Sequence, residues 1–455
     1  MTMVNSILEL IGNTPILKLS KFDTGPCELY LKLESENPGG SIKDRIAVCM
    51  IEAAEKEGKI KPGGTIIEAT AGNTGLGLGL VAAQKGYQLI LVIPDKMSPD
   101  KIRHIRAMGV NVRLTRSDVQ KGHPEYYQDY AKRLAAEIPN SFFIDQFSNP
   151  NNPRTHETDT GPEILRQMDG KLDAVVVGVG SSGTVTGLGK FFHRELPDLE
   201  MIVADPVGSI LADTINTGKT PKASSWLVEG IGEDFLPPIC DISLVKKAYA
   251  IPDREAFKTQ RELLRLEGMI AGSSTGTLLS AALRYCREQT EPKRVLTFAC
   301  DTGNKYLNKS FNDSWLADQG LLERESHGDL RDLIARPMGG GDMVTVTPED
   351  NLITTYKRMR MFDVSQLPVV DDGHIVGLID ESDILLGIYE DEDNFQMPVS
   401  EVMVSNLETR PPTASIDDIV ALFKQDKVAI IADGETFYGL ITQIDLINHL
   451  RQTMQ

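Results

Sequence analysis

The sequence predicts an α/β protein in two parts: a long region on a largely parallel sheet covered on both faces, then a tandem of two smaller strand–helix units. Three observations carry this expectation. Short apolar runs alternate with helix-period segments from about residue 5 to 320, a later stretch repeats itself, and the acidic charge is concentrated after the alternation ends.

ELYLKL (28–33), TIIEAT (65–70), QLILVIP (88–94), DAVVVGVG (173–180), EMIVAD (200–205) and RVLTFAC (294–300) read as strands. Each leads within a few turn residues to a helix-period segment such as SIKDRIAVCMIEAAEKEG, and near-continuous apolar strands of this kind are buried on both faces. LLERESHGDL (321–330) is polar and lacks strand pattern, so domains are expected at 1–320 and 335–455 with a linker at 321–334. PVVDDGHIVGLIDESDILL (368–386) then aligns with VAIIADGETFYGLITQIDLIN (428–448): Gly377 matches Gly439 and Asp383 matches Asp445, each 62 residues apart. Each unit reads as helix (LITTYKRMRMF; IDDIVALFKQ), strand, acidic-Gly turn, strand and helix. One unit alone would leave an apolar face bare, so the repeats, expected at 335–389 and 397–453, should pack as a pair. The acidic run at 390–393 reads as a solvated connection between them.

Charge and cysteine usage narrow the function. Of 455 residues, 47 are Lys or Arg and 65 Asp or Glu, giving −18; residues 331–455 hold 9 basic and 22 acidic residues, or −13 of that total. Such a surface repels phosphate backbones, which argues against a nucleic-acid partner. No stretch approaches the roughly 18 unbroken apolar residues of a membrane helix, and MTMVNSILELIGNTP lacks the marks of a signal peptide. A cytoplasmic protein is the expectation. The five cysteines (Cys27, Cys49, Cys240, Cys286, Cys300) form no C-x-x-C, so neither a disulfide framework nor a metal site is expected.

Four Gly-rich turns stand between strands and helices: NPGGSIKDR (37–45), EATAGNTG (68–75), GVGSSGTVTG (178–187) and AGSSTGT (271–277). Glycine lets backbone approach a ligand, and the helix start beyond it offers free N–H groups to an anion. Gly178, Gly180 and Gly183 also spell G-x-G-x-x-G, with Asp205 at the end of the next strand, which admits a nicotinamide-dependent dehydrogenase. The whole set points elsewhere: a phosphate-bearing aldehyde cofactor needs an anion cradle, a lysine and a partner for its ring nitrogen. Lys43 stands in the first turn of a helix, where dipole and burial favour the neutral amine.

IGNTPILKL, NPGGSIKDR, TAGNTG, DQFSNPNNP, GVGSSGTVTG, DPVGSIL, VEGIGEDFLP and GSSTG together resemble the pyridoxal-phosphate enzymes of fold type II, the group containing cysteine synthase and cystathionine β-synthase. The resemblance covers residues 5 to 318 and implies a tryptophan-synthase-β-like catalytic domain. It makes Lys43 the Schiff-base lysine and general base, sets Asn73 on the cofactor's ring hydroxyl, and makes Gly180, Ser181, Ser182, Gly183 and Thr184 the phosphate cup. Ser274 meets the pyridine nitrogen, and Thr70, Ala71, Gly72, Thr74 and Gln146 hold the substrate carboxylate. The plainer alternative for Asn73 and Ser274 is an N-cap, and His156 is read as structural. Ala69, Ala71, Ser182 and Cys300 depart from the family's usual residues, and Phe147 and Glu233 lie where many synthases carry tyrosines. QFSNPNNP followed by HETDTGPEI looks like cysteine synthase; Asp145 before Gln146, DPVGSIL, VEGIGEDFLP and the appended pair look more like the cystathionine β-synthases. That implies a lyase that condenses serine with homocysteine, with hydrogen sulfide as a side product, in a homodimer or larger homo-oligomer. Ten residues without Cys or His precede Ile11, so no haem is expected.

The tandem repeat resembles a CBS-domain pair, the Bateman module. In such pairs a G-φ-φ-[ST]-x-x-D segment holds ribose. The second repeat keeps it as Gly439, Leu440, Ile441, Thr442 and Asp445, whereas the first carries Asp380 in the hydroxyl's place. The extra carboxylate and the −13 balance favour S-adenosylmethionine, with its positive sulfonium, over AMP or ATP, at Thr442 and Asp445.

Overall fold

Two sheets organise the first part of the chain. In the computed structural model, which describes residues 3–70, 72–95, 99–119, 122–322, 326–340, 343–389 and 392–453, the chain divides into units Met1–Phe311 and Asn312–Gln455. Ala71, and Glu390 and Asp391 of the acidic run, lie outside the described residues.

In the first unit, strands β1 (Ile16–Lys18), β2 (Glu28–Leu33), β7 (Ala174–Gly178), β8 (Glu200–Pro206), β9 (Lys247–Ile251) and β10 (Arg294–Ala299) form a sheet in the order β1-β2-β10-β7-β8-β9. Only β1 runs antiparallel within it. Strands β3 (Thr65–Glu68), β4 (Gln88–Pro94), β5 (Asn111–Thr115) and β6 (Ser141–Phe143) form a second, all-parallel sheet, β5-β4-β3-β6. The single sheet expected from the alternation is thereby corrected to two. The alternation gives the strand type, but pairing is a long-range choice that periodicity does not encode. The smaller sheet has its own apolar core, in which Ile66, Leu91 and Ile93 pack with Ile46, Met50, Leu78 and Val81 of the helices Lys43–Lys56 and Asn73–Lys85.

The start of helix Lys43–Lys56 is fastened by a buried ionic group. Arg45 Nε and Nη2 donate to Glu34, Nη1 and Nη2 donate to Glu163, and Lys32, fully buried on β2, donates to Glu163 and to the carbonyl of Thr14. Two cations face two carboxylates, so the charge is balanced. Burial would raise the Glu163 carboxyl, but Arg45 and Lys32 overcome it and hold the group down at about 2. Gly39 closes the preceding turn: its N–H donates to Asp44 Oδ2 at 2.5 Å, and a Cβ there would stand 2.5 Å from Asp44 Oδ1.

The second unit carries the repeat. Helix Leu352–Phe362, β11 (Gln366–Asp371), β12 (His374–Asp380) and helix Glu381–Ile388 are matched by helix Ile416–Phe423, β14 (Ala429–Asp433), β15 (Thr436–Ile441) and helix Gln443–Thr453. Both hairpins bulge at the same place, after Val369 opposite Gly377 and after Ile431 opposite Gly439. A short β13 (Thr409–Arg410), which alternation did not predict, adds in parallel to β14. Separate cores centred on Val369 and Ile379 and on Ile431 and Ile441 are joined by Val370, Ile430 and Phe437. Leu330, Leu333 and Ile334 belong to the core of the second repeat, so the C-terminal end of the expected linker is structural, and the unit begins before residue 320. Among the described residues no helix is long and apolar enough to cross a membrane.

Candidate active site

The strand end Cys300–Asp301 is the junction of the site. Ile42 N–H donates to Cys300 O at 2.9 Å and Thr302 N–H to Gly40 O at 3.1 Å, which seats the Lys43 loop on one side. Gly272 N–H donates to Asp301 O at 2.9 Å and Cys300 N–H to Thr275 Oγ1 at 3.2 Å, which seats the start of helix Ser273–Arg287 on the other. Lys43 is thus the first residue of its helix and lies within electrostatic reach of Cys300, Asp301 and Glu233. Burial lowers its ammonium pKa, and those three groups only partly oppose it. The Cys300 thiol is pushed up to about 12 by burial, then by Asp301, and stays protonated despite a hydrogen bond with Ser274.

Asn73 and Ser274 are not N-caps. The capping positions are Gly72 and Gly272, and each polar side chain is turned inward instead. Asn73 Nδ2 donates to Asp301 Oδ2 at 2.8 Å while its Oδ1 accepts from Lys305 Nζ at 2.7 Å. Tyr306 donates to the same Asp301 oxygen at 2.7 Å, and Lys305 also donates to Gly39 O and Gly40 O. This clamp, with a further hydrogen bond between Asn73 and Tyr306, fixes the amide of Asn73. Lys305, Asp301 and Tyr306 escaped the sequence reading. Asp301 could have been found, because it stands two residues past a parallel strand, at the carboxyl edge where ligands bind.

A second network sets the expected substrate residues. Thr74 Oγ1 donates to Gln146 Oε1 at 2.8 Å, and Gln146 Nε2 donates to Glu68 Oε1 at 3.2 Å. Glu68, on β3, is buried; burial raises its carboxyl to about 8, against the bond from Gln146. It therefore keeps its proton at neutral pH. Thr70 Oγ1 accepts from Gly72 N–H at 3.0 Å, which shapes the loop beside it. Asn152, also missed, joins this network to the cup by donating to Gln146 O at 2.8 Å and Ser181 Oγ at 3.0 Å.

The cup itself follows β7. Ser182, at φ 67°, caps the helix Gly183–Glu195 in left-handed geometry, which turns the next backbone N–H groups toward one point. A Cβ on Gly180 would lie 2.6 Å from Gly230 O, and one on Gly183 only 1.8 Å from Asn152 Oδ1, so both glycines are required by close approach. Thr184 Oγ1 lies 3.3 Å from His156 Nε2, and His156 Nδ1 lies 3.0 Å from Thr160 Oγ1. Burial, then Lys43 and Arg45, keep His156 neutral, so it orients Thr184 and adds no charge. Asp205, on which the dinucleotide alternative depends, is fully buried and accepts from Ala212 N–H at 2.8 Å; it is closed to a ribose.

These residues fit a phosphate-bearing pyridine aldehyde: a cradle of free amides, a lysine of lowered pKa, an amide donor of fixed orientation and a buried hydroxyl on a helix start. The profile described as "Pyridoxal-phosphate dependent enzyme" matches residues 7–301, and that described as "CBS domain" matches 330–390 and 399–452. Cystathionine beta-synthase of Dictyostelium discoideum is 33% identical across 100% of this chain and 93% of its own; that of Oryctolagus cuniculus is 34% identical across 97% and 84%. A solved O-acetylserine dependent cystathionine beta-synthase from Helicobacter pylori, 36% identical, superposes with a TM-score of 0.62 over 68% of this chain and 99% of its own. The chain belongs to the pyridoxal-phosphate dependent lyases with a C-terminal CBS pair, and within them to the cystathionine β-synthase family.

In the second unit a cavity of about 560 Å³ opens between the repeats. Asp363, Gln366 and Pro368 line it from the first repeat, and Lys427, Thr442 and Asp445 from the second. Thr442 N–H and Oγ1 both donate to Asp445 Oδ2, at 2.7 and 2.6 Å. In the first repeat Asp380 and Asp383 form a capping box on helix Glu381–Ile388.

Proposed function

We propose that the first unit carries out β-replacement on L-serine with L-homocysteine, giving cystathionine and water, and that the second binds S-adenosylmethionine. Pyridoxal phosphate, when bound, supplies the electrophilic carbonyl and the electron sink for the α-carbon. In this reading Gly180, Ser181, Ser182, Gly183 and Thr184 hold its phosphate, Asn73 donates to its ring hydroxyl oxygen, and Ser274 meets its ring nitrogen. A hydroxyl there does not force that nitrogen to stay protonated, which favours β-elimination over transamination. Lys43 Nζ takes the proton from the substrate α-carbon and passes it to the departing β-hydroxyl, which leaves as water; the proton released by the thiol then replaces it on the α-carbon. Thr70, Gly72, Thr74 and Gln146, with Ala71 expected beside them, receive the substrate carboxylate by neutral donors.

The observation that carries the reading is Lys43, of lowered pKa, on the same strand-end junction as Asn73 and Ser274. Release of hydrogen sulfide from cysteine follows from the same proton transfer. The proposal extends to a cytoplasmic homodimer and rests there on the family resemblance alone. Thr442 and Asp445 on the cavity wall support the adenosyl site. A second reading, cysteine synthesis from O-acetylserine and sulfide, is favoured by the QFSNPNNP segment. Product analysis with serine or O-acetylserine, each against homocysteine or sulfide, decides between them. Cystathionine from serine is expected, and cysteine as the sole efficient product would overturn it.

A further inference from the structure

Gln146 is fastened at both ends of its side-chain amide, and one of the two fasteners is an acid. Ile144 N–H donates to Ile67 O at 3.0 Å, which ties this segment to the end of β3. Asp145 then turns the chain at φ 50°, a left-handed geometry that Asp and Asn adopt more readily than other non-glycine residues. The Gln146 amide thereby returns to β3, where Oε1 accepts from Thr74 Oγ1 at 2.8 Å and Nε2 donates to Glu68 Oε1 at 3.2 Å. In this orientation a second Nε2 proton remains for a carboxylate.

Glu68 is 1% exposed and shares with Ile66 the face of β3 turned toward the helices Lys43–Lys56 and Asn73–Lys85. The first three turns of helix Asn73–Lys85 are uncharged, and its Lys85 is bonded to Glu55. On helix Lys43–Lys56, Lys43 acts with Cys300, Asp301 and Glu233, Asp44 accepts from Gly39 N–H, and Arg45 is bonded to Glu34 and Glu163. Helix Tyr127–Glu137 covers the opposite face, against Ile67 and Ala69; its Asp129 accepts from Gly122 N–H, and its Lys132, Arg133 and Glu137 are exposed. The charge that acts on Glu68 is Asp145, of like sign. Burial, then Asp145, keep the Glu68 carboxyl protonated at neutral pH, against the bonds from Gln146 and from the amides of Asp145 and Ala69. A neutral acid tolerates a carboxylate at the next hydrogen bond, whereas an ionised one repels it through a water-poor interior.

We propose that Glu68 is the positioning residue of the substrate-carboxylate site: as a neutral acid it holds the Gln146 amide for the incoming carboxylate, and its ionisation closes the site to anionic groups. This rests on the reading of Thr70, Gly72, Thr74 and Gln146 as the residues that receive the substrate carboxylate. Glu68 acts through Gln146 and meets the substrate only by way of it. The coupling is reciprocal, so a bound carboxylate makes Glu68 hold its proton more tightly.

The test is the apparent Kd of L-serine for the holoenzyme between pH 7 and 9, read from the change in cofactor absorbance with no nucleophile present. Titration of serine's own ammonium is common to every variant, so the ratio of wild-type Kd to that of Glu68→Gln isolates Glu68. With the carboxyl half-ionised at about 8, that ratio should rise about tenfold across this range. At pH 7 Glu68→Gln, which offers Gln146 the same neutral partner, should bind serine within about threefold of the wild type, and Glu68→Leu, which offers none, about tenfold more weakly. Structural damage alone weakens binding at every pH alike and leaves the ratio flat. A ratio that changes less than about twofold, or Glu68→Leu binding as tightly as the wild type, overturns the proposal. Where a variant fails to hold the cofactor, 3-hydroxypropionate, a carboxylate with no ammonium to titrate, reads the wild type alone: its Kd should rise about tenfold from pH 7 to 9, and a flat Kd overturns the proposal. If neither L-serine nor O-acetylserine alters the absorbance of a wild type whose Lys43 carries the cofactor, the reading of the substrate residues itself fails, and this inference with it.

Discussion

The catalytic site and the cavity of the repeat pair use similar parts, a strand, a turn and a helix start, but they are fastened differently. In the first unit the contacts join distant segments: Asn73 to Asp301, Lys305 to Asn73, Thr74 to Gln146 and Asn152 to Ser181. In the second, Thr442 bonds Asp445 three residues away, and Asp380 caps its own helix with Asp383. A cross-linked site is preorganised, as positioning of reacting atoms requires. In the proposed adenosyl site this locally satisfied pair must exchange its internal bonds for those of a ligand, which reduces the affinity by the cost of that exchange.

Breaking the first region at its centre should have the largest effect. Lys43→Ala is expected to lower turnover about a thousandfold or more, as for loss of a base that is also the covalent anchor, measured by cystathionine formation. Next comes Arg45→Met, which leaves Glu34 and Glu163 buried without their shared cation; it should cost about 3–5 kcal/mol in urea unfolding. Glu68 gives a pH signature. Unfolded, this carboxyl ionises near the ordinary glutamate value of 4.5, whereas folded it holds its proton to about 8. The native state then binds more protons than the unfolded state across that window, so stability falls as pH rises through it, by at most ~1.4 kcal/mol per pH unit. Glu68→Gln should flatten that slope in thermal melts from pH 5 to 8; an unchanged slope would place the titration elsewhere. The smallest change belongs to the second region: Asp445→Ala should weaken S-adenosylmethionine about tenfold in calorimetric titration. Undiminished binding would remove Thr442 and Asp445 from the site.

Much of this architecture was legible because its signals are local. The Gly-rich turns that carry Lys43 and residues 178–187 are read from a few adjacent residues and the tandem from its 62-residue spacing, whereas the expectation that Gly180 to Thr184 hold a phosphate came from the family resemblance. What stayed hidden depends on pairing at long range. The division into two sheets is a choice among strands of equal apolar character, and β13 is too short for a pattern. Lys305 sits in DTGNKYLNK, where a surface lysine is the ordinary reading, and only folding brings it to Asn73. Glu68 precedes a Gly-rich loop, yet its protonation depends on burial that the sequence does not state. Leu330, Leu333 and Ile334 lie in or against a polar stretch, and their apolar character was outweighed by their neighbours.

The central claim is that Lys43 is both the cofactor's anchor and the base. Borohydride reduction of the purified holoenzyme, followed by peptide mapping, tests it most directly. The pyridoxyl group should be found on the peptide containing Lys43, and Lys43→Ala should yield no labelled lysine. A label on Lys305 or any other lysine in the wild type would contradict the account.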